Sequence, residues 1–165
     1  MEFLQVTALL AATIATGLSA GLFFAFACSV MPGLGQASDR TFVEAMQRIN
    51  VAILNAWFLV VFVGAFVFTG LAAALHLPAG DRAVLPWSIA AFVLYGTGLV
   101  ITGRGNVPLN YALMAAGDPD GIADLRSVRD RFERRWVTLH LVRTVAFVVA
   151  FGCLAWALVL HGRLG

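Results

Sequence analysis

The sequence predicts an all-α protein, a transmembrane four-helix bundle, and two observations carry this prediction. Hydrophobic residues make up 61% of the 165 residues and charged residues only 12%, whereas roughly a quarter of the residues of soluble domains are charged. Four apolar stretches are each long enough to cross a hydrocarbon core of about 30 Å, which takes roughly 20 helical residues. We therefore expect a single membrane domain over residues 1–165, with its crossings at approximately 3–31, 51–77, 84–103 and 137–160.

The first apolar stretch has features of a retained membrane helix. The chain begins MEFLQ, without a basic residue, and the apolar run that follows is too long for the core of a signal peptide. We expect the MPGLG sequence at 31–35 to end this helix, because Pro and Gly continue a helix only at a cost. Small residues that let another backbone approach closely recur every fourth position, at Thr13, Gly17, Gly21, Ala25 and Ser29. Packing within the bundle and contact with a second copy are both open for this stripe.

A helical extension is predicted before the second apolar stretch. Thr41 and Glu44 form a capping-box pattern, and the apolar residues that follow recur at spacings of three and four. This phase runs without interruption into the stretch at 51–77. We therefore predict one long helix whose first turns stand outside the membrane.

A second extension is predicted before the fourth apolar stretch. The DPDG sequence at 118–121 indicates a turn, and an apolar stripe at helical spacing then leads into the stretch at 137–160. The opposite face carries charge pairs four residues apart, such as Arg129 with Glu133. Such pairs are typical of a solvated helix face.

Basic residues are divided unevenly between the two sides of the predicted bundle. Four crossings place both termini on one side, which carries only Arg82 and Arg163. The other side carries Arg40, Arg48, Arg104, Arg126, Arg129, Arg131, Arg134 and Arg135. By the positive-inside rule the Arg-rich side is cytoplasmic, so we expect a plasma-membrane protein with both termini outside the cytoplasm. The net charge of +2, without a basic tail, argues against nucleic acid as a partner.

A polar cluster is predicted at the Arg-rich end of the bundle. Trp136, His140 and Arg143 follow one another at spacings of four and three, so they share one face of the fourth helix. Polar groups in hydrocarbon need partners, and the amides that lie at matching depth on neighbouring helices are Asn50, Asn55, Asn106 and Asn110. The sequence therefore predicts a cavity that opens toward the Arg-rich side. The alternative is that these groups only tie helix ends together through interhelical hydrogen bonds.

Several kinds of chemistry lack the residues that they need. None of the four apolar stretches contains Asp or Glu, which excludes a carboxylate-bridged metal pair. His76 and His161 lie at the opposite membrane face, where they could hold a metal or haem iron. Because no third ligand accompanies them, we interpret them as hydrogen-bonded interfacial histidines. The sequence also has no CxxC and no Gly-rich phosphate loop, and we expect neither a metal nor a cofactor.

Four segments of the chain resemble the anthrone oxygenase-like family of small four-helix membrane proteins. They are FFAFACSVMPGL at 23–34, FVEAMQRINVAILNAWF at 42–58, GNVPLN at 105–110 and RFERRWVTLHLVRT at 131–144. The shorter pieces that resemble family signatures are MPG, NVPLN and the spacing of Trp136, His140 and Arg143. The resemblance covers nearly the whole chain, and the order of its motifs relative to the apolar stretches makes it specific.

The resemblance implies a reaction and roles for individual residues. The reaction is the oxidation of an anthrone-type polyketide ring to the quinone by dioxygen, without metal or flavin. His140 would be the general base and Arg143 would hold the developing oxyanion. The amides would orient substrate oxygens and the tryptophans would form flat apolar walls, giving a substrate-binding set of Asn50, Asn55, Asn106, Asn110, Trp57 and Trp136. The implied partners are membrane lipid and an apolar aromatic small molecule.

Two classes of function other than an enzyme stay open at this point. The bundle could be a partner subunit, or a lipid or quinone binder, that catalyses nothing, and no residue of the sequence excludes this. A transporter is the other class. Four crossings without an internal repeat would make a transporter only if the chain formed an oligomer.

Overall fold

The computed structural model describes residues 2–78 and 83–163, and in these ranges the protein is all-helical. In chain order the elements are α1 (Glu2–Ala25), a π-helical segment (Phe26–Val30), α2 (Met31–Gly35), α3 (Asp39–Ala52), α4 (Ala56–His76), α5 (Leu85–Ile101), a second π-helical segment (Thr102–Asn106), α6 (Val107–Ala115), a 3₁₀ turn (Pro119–Gly121) and α7 (Leu125–His161). Among the described residues, four helices are long and apolar enough to cross a membrane, namely Glu2–Gly35, Ala56–His76, Leu85–Ala115 and Leu125–His161. The predicted four-helix transmembrane bundle is confirmed. Arg82, which the orientation argument used, lies outside the described residues.

The four long helices pack around one central core. The helix α1 contacts α4 and α7, and α5 contacts the same two helices. Buried alanines on each helix let the backbones approach closely. Large apolar side chains such as Leu18, Val60 and Val145 are exposed on the outside of the bundle. An apolar exterior of this kind is what a helix bundle presents to lipid.

The half of the bundle away from the Arg-rich side is close-packed, and we call it the closed end. Near its inner limit, the buried Phe147 packs directly against the backbone of Gly98 and leaves no room for a Cβ atom there. The fully buried hydroxyl of Tyr95 donates to the carbonyl oxygen of Phe62 (2.9 Å) and lies 3.0 Å from the Ser19 hydroxyl. These contacts tie α1, α4 and α5 together.

Two prolines coincide with the two π-helical segments. Pro32 and Pro108 are each the second residue after a π-helical segment. In a regular α-helix a proline ring clashes with the carbonyl group four residues earlier, whereas a π turn is wider. The Met31 N–H donates to the Phe26 oxygen and the Val107 N–H to the Thr102 oxygen, each five residues back. The first helix ends at MPGLG as expected, but at its last residue, Gly35, because the wide turn lets the helix continue through Pro32.

The helix predicted to run without interruption from Thr41 into the second crossing is broken. Residues 53–55 separate α3 from α4 because the Asn55 side chain caps α4, accepting a hydrogen bond of 3.0 Å from the Phe58 N–H. The helix α3 begins at a Ser38 cap, where the side chain accepts from the Thr41 N–H at 3.2 Å. Asparagine and serine are among the best N-cap residues. The second predicted extension is confirmed, since α7 is one helix of 37 residues.

The stripe of small residues on α1 is not the main packing face of that helix. Gly21, Ala25 and Ser29 are exposed, and an added Cβ at Gly21 would meet nothing within 4 Å. Gly17 does approach a neighbour, because a Cβ there would lie 2.9 Å from the Phe151 ring. Of the two uses left open for this stripe, packing inside the bundle is therefore wrong for its second half. Contact with a second copy of the chain stays a prediction.

One residue of the predicted charged face is buried and joins the two extensions. Arg129 is only 9% exposed, and it donates to the carbonyl oxygens of Gly35 (2.8 Å) and Ala37 (2.9 Å). It also pairs with Asp39 at 3.0 Å and with Glu133 at 2.6 Å. The prediction of a solvated face is therefore wrong for Arg129, whose contacts hold the start of α3 against α7.

Candidate functional site

A cavity of about 630 Å³ lies at the Arg-rich end of the bundle. It forms where three of the four long helices lose their regular geometry, and we call this region the open end. Phe26 of the first π-helical segment, Leu54 of the break before α4 and Thr102 of the second π-helical segment all line it. Its volume falls in the range of small-molecule binding sites.

The cavity wall is largely apolar and aromatic, with a small polar group. The polar side of the wall consists of Asn50, Thr102, Asn110, Trp136, His140 and Arg143. The aromatic side consists of Phe23, Phe26, Phe58, Phe62 and Tyr111. An apolar pocket with a few convergent polar groups is the usual form of a ligand site. This arrangement suits a flat, mainly apolar molecule that is polar at one edge.

His140 is held between two aromatic rings by contacts to both of its ring nitrogens. Its imidazole stacks on Trp136 with ring centroids 4.8 Å apart, and on Phe23 at 5.6 Å. Nδ1 lies 3.0 Å from Nη2 of Arg143, and Nε2 lies 3.0 Å from the carbonyl oxygen of Phe23. A guanidinium group can only donate and a carbonyl can only accept. The imidazole is therefore neutral here, with its proton on Nε2 and its lone pair on Nδ1 directed at Arg143.

Arg143 presents a buried positive charge to the cavity. It is 6% exposed, and within the described ranges no carboxylate forms a salt bridge with it. Its Nη1 donates to the Thr102 hydroxyl at 3.1 Å, and its guanidinium carbon lies 4.5 Å from the centroid of the Phe23 ring. Its Nε–H is buried and has no hydrogen-bond acceptor among the described residues. An unpaired buried donor on a cation is costly unless a ligand completes it.

The two amides beside the cavity have different hydrogen bonds. Asn110 accepts a hydrogen bond of 2.8 Å from Nε1 of Trp136, which fixes the indole ring against the wall. Asn50 also lines the cavity, and its Nδ2 is buried without an acceptor among the described residues. Asn50 and Arg143 thus both line the cavity, and each has one buried N–H without an acceptor among the described residues.

Three residues of the predicted substrate-binding set are not part of the cavity wall. Asn106 lies behind it, 1% exposed, with Nδ2 donating to the Trp136 carbonyl oxygen at 3.1 Å. Asn55 caps α4, and Trp57 is 85% exposed on the outer surface. The cap at Asn55 starts a new helical phase, so that Phe58 and Phe62, four residues apart, face the cavity in place of Trp57.

Sequence reasoning missed Thr102 and Phe23, which both contact the polar group. Phe23 offers its carbonyl oxygen to His140 and its ring to Arg143. Every residue has a backbone carbonyl, so the residue type does not show which carbonyl accepts this hydrogen bond. Thr102 could have been predicted, because a hydroxyl near the end of an apolar stretch can accept a hydrogen bond from an arginine on a neighbouring helix.

The two histidines at the closed end lie against each other. Nε2 of His76 is 3.4 Å from Nδ1 of His161. Within residues 2–78 and 83–163, no group of three or more His, Cys, Asp or Glu side chains is placed to hold a metal ion.

Comparison with known proteins identifies a family. Residues 56–153, more than half of the chain, match the family model described as anthrone oxygenase. This segment includes all of α4, α5 and α6, and the part of α7 that carries Trp136, His140 and Arg143. No curated protein sequence and no solved structure matches the chain significantly.

Proposed function

The chain belongs to the anthrone oxygenase family, and on this premise we propose that it oxidises a polycyclic phenolic or polyketide substrate of the anthrone type with dioxygen. The reaction converts the ring CH₂ of the anthrone to a carbonyl. One dioxygen is consumed and one water is released for each quinone formed. The cavity at the open end is the proposed site.

The observation that carries the proposal is that two residues of the cavity wall each have an unpaired hydrogen-bond donor. Arg143 and Asn50 each have one buried N–H without an acceptor among the described residues, and both line a space of about 630 Å³. The anthrone enolate has an anionic oxygen that accepts such hydrogen bonds, and the rest of its surface is flat and apolar. Phe23, Phe58 and Phe62 offer matching apolar walls. Donors fixed in place where charge develops are the strongest single source of catalysis in many enzymes.

The proposed chemistry begins with removal of a proton from the ring CH₂. Its electron pair delocalises onto the carbonyl oxygen, and Arg143 stabilises the resulting oxyanion. The enolate carbon then forms a bond to dioxygen, which takes up the electron pair of that carbon. The peroxide anion takes back the proton from the protonated base and becomes a hydroperoxide. Loss of water from the hydroperoxide that results breaks the O–O bond and leaves the quinone. This sequence needs no cofactor, because the deprotonated substrate itself reduces dioxygen.

His140 is the proposed proton acceptor, and its hydrogen bond to Arg143 sets a condition on that role. The lone pair on Nδ1 accepts from Nη2 of Arg143 at 3.0 Å, so it is not free before the substrate binds. A substrate oxygen that accepts from both Nε and Nη2 of Arg143 would compete with Nδ1 for the Nη2 N–H and release the lone pair. The base would then become available only when the oxyanion-stabilising group is engaged.

A second candidate function is binding of an aromatic or quinone ligand without turnover. The observation that favours it is that both ring nitrogens of His140 already have partners, as in a histidine with a purely structural role. The same unpaired donors would then bind quinone oxygens. Tight binding of a quinone, with no dioxygen consumption, would support this candidate over the enzyme.

The test is dioxygen uptake by the purified protein with anthrone as the probe, corrected for the autoxidation of anthrone alone. We expect Arg143→Gln and His140→Gln each to lower the rate by about 10²–10³-fold, as loss of one oxyanion donor or general base does. Trp57→Phe is the matched control, since Trp57 is an aromatic residue near the open end but outside the cavity wall. Uptake that is equal in wild type and both cavity variants would refute the proposal.

We also propose that the Arg-rich end faces the cytoplasm of a plasma membrane. The support is the number of arginines on that side and the positive-inside rule. A membrane-impermeant thiol reagent would decide the matter, applied to intact and permeabilised cells that express a Ser127→Cys, Cys28→Ser variant. Labelling only after permeabilisation is expected, and labelling of intact cells would reverse the orientation.

A further inference from the structure

A pair of histidines occupies the closed end of the bundle, remote from the cavity. His76 is the last residue of α4 and His161 the last residue of α7. His161 is 21 residues beyond His140 on the same helix, which corresponds to about 31 Å at 1.5 Å per residue. The reaction proposed for the cavity therefore gives these two imidazoles no role.

The hydrogen bonds of His76 direct one nitrogen at its partner. Nδ1 of His76 lies 2.7 Å from the carbonyl oxygen of Ala72, and since a carbonyl only accepts, Nδ1 carries the proton. The lone pair of the neutral ring is then on Nε2, which faces Nδ1 of His161. Metal-binding histidines commonly donate their other ring N–H to a backbone carbonyl, which fixes the ring for coordination.

The separation of the two facing nitrogens matches that of two ligands on one ion. They are 3.4 Å apart, longer than the usual hydrogen-bond range of about 2.7–3.2 Å. Two imidazole nitrogens bound at roughly 2.0–2.1 Å to a tetrahedral ion lie about 3.3–3.4 Å apart. The rings are also nearly perpendicular, with an interplanar angle of 83°, so they approach from different directions.

The local field at this place also favours a cation. Both residues end helices, and the last carbonyl groups of an α-helix carry a partial negative charge of about half an electron. Two such helix ends meet at the histidine pair. Within the described residues no third His, Cys, Asp or Glu side chain joins the pair. This restricts the affinity and not the geometry, because water can fill the remaining positions.

We propose that His76 and His161 together bind one divalent transition-metal ion that prefers imidazole nitrogen, Zn²⁺ or Cu²⁺. His76 is fully buried and His161 half-buried, so the ion enters from the His161 side. With two ligands from these histidines and the rest from water, the ion is exchangeable. By the general order of affinities Cu²⁺ binds more tightly than Zn²⁺.

The test is metal titration of the full chain, purified in detergent without a polyhistidine tag and treated with chelator. Calorimetry with ZnCl₂ is expected to give one ion per chain, and the electron paramagnetic resonance spectrum of added Cu²⁺ is expected to show two coordinating nitrogens. His76→Ala and His161→Gln should each abolish stoichiometric binding. His140→Gln and Cys28→Ser are matched controls that keep it, since one removes the histidine at the far end and the other an exposed thiol.

Two outcomes would overturn the site. One is a wild-type protein that binds no stoichiometric Zn²⁺ and gives no two-nitrogen Cu²⁺ spectrum, which would leave the pair as a hydrogen bond between helix ends. The other is binding that persists in both histidine variants. The wild-type spectrum decides the matter even if His76→Ala fails to fold, and the half-buried His161→Gln supplies a milder variant.

Discussion

The two ends of this bundle are built from the same four helices but pack in opposite ways. At the closed end, alanines and glycines bring the backbones together, and Phe147 fills the space up to Gly98. At the open end the helices enclose about 630 Å³. Side-chain size alone does not explain the difference, because the open end is rich in phenylalanine. What differs is the backbone.

Three helices change geometry at the same level, and the fourth does not. The first and third carry a π-helical segment followed by a proline, and the second is broken at residues 53–55. The fourth, α7, stays regular over 37 residues and carries Trp136, His140 and Arg143. The cavity therefore forms between three irregular helices and one regular helix, α7, which carries the charged Arg143. π-helical turns occur frequently at functional sites.

The largest effect on stability is expected from filling the closed end. Gly98→Ala places a Cβ where the Phe147 ring lies, and that ring is held by Phe23, Phe62 and Tyr95. Because the ring has little room to move, we expect a loss of roughly 1–3 kcal/mol in the free energy of unfolding. Thermal unfolding in detergent measures it. Gly21→Ala is the matched control, since nothing lies within 4 Å of an added Cβ there, and equal melting temperatures for the two variants would contradict the close packing.

An opposite pattern is expected at the open end. Asn50→Leu removes a buried N–H that has no acceptor among the described residues, so the free energy of unfolding should stay equal or rise by up to about 1 kcal/mol. Ligand affinity should fall by about tenfold, the equivalent of about 1.4 kcal/mol for one lost hydrogen bond. Thermal unfolding and quinone titration give the two quantities. A variant that loses stability while keeping its affinity would assign Asn50 to the packing and not to the ligand.

A smaller effect on stability is expected from the polar contact inside the closed end. Tyr95→Phe removes the hydroxyl that joins Ser19 to the Phe62 carbonyl and should cost about 0.6–1.5 kcal/mol, with ligand affinity unchanged. A double-mutant cycle with Ser19→Ala isolates the share of the Ser19 contact. A loss of affinity comparable to that of Asn50→Leu would mean that the two ends are coupled.

The smallest effect is expected at Trp57, which is 85% exposed beside the open end. Trp57→Ala should change the free energy of unfolding by no more than about 0.5 kcal/mol and should leave quinone affinity as it is. Titration of this variant beside Asn50→Leu checks the boundary of the cavity. A tenfold weaker affinity would place the Trp57 ring in contact with the ligand.

Much of the fold could be predicted from the sequence because the bilayer restricts the choices. Apolar length fixes the four crossings, and a period of 3.6 residues places Trp136, His140 and Arg143 on one face. The break at Asn55 could not be predicted in this way, because the apolar helical pattern runs past this position without interruption, while asparagine is also a good cap. Tertiary packing determines whether the helix continues or a new helix begins at the cap. Because a new helix begins, Phe58 and Phe62 line the cavity and Trp57 does not.

The polar cluster could be predicted in part. Its members at Asn50, Asn110, Trp136, His140 and Arg143 do line one cavity, because polar side chains at one depth of a bundle have only one another as partners. The hydrogen bonds that each of these residues makes could not be predicted from the sequence. The carbonyl of Phe23 meets His140 beside a π-helical segment, and no pattern of residue types indicates that contact.

The uninterrupted length of α7 decides which wall of the protein can move. At 1.5 Å per residue its 37 residues span about 55 Å, so it is a stiff rod that reaches well past the hydrocarbon on the Arg-rich side. This helix has no break or irregular turn near His140 or Arg143. We therefore expect entry or exit of a bulky ligand to bend the other three helices, at residues 53–55 and at the two π-helical segments, while Trp136, His140 and Arg143 keep their places on α7.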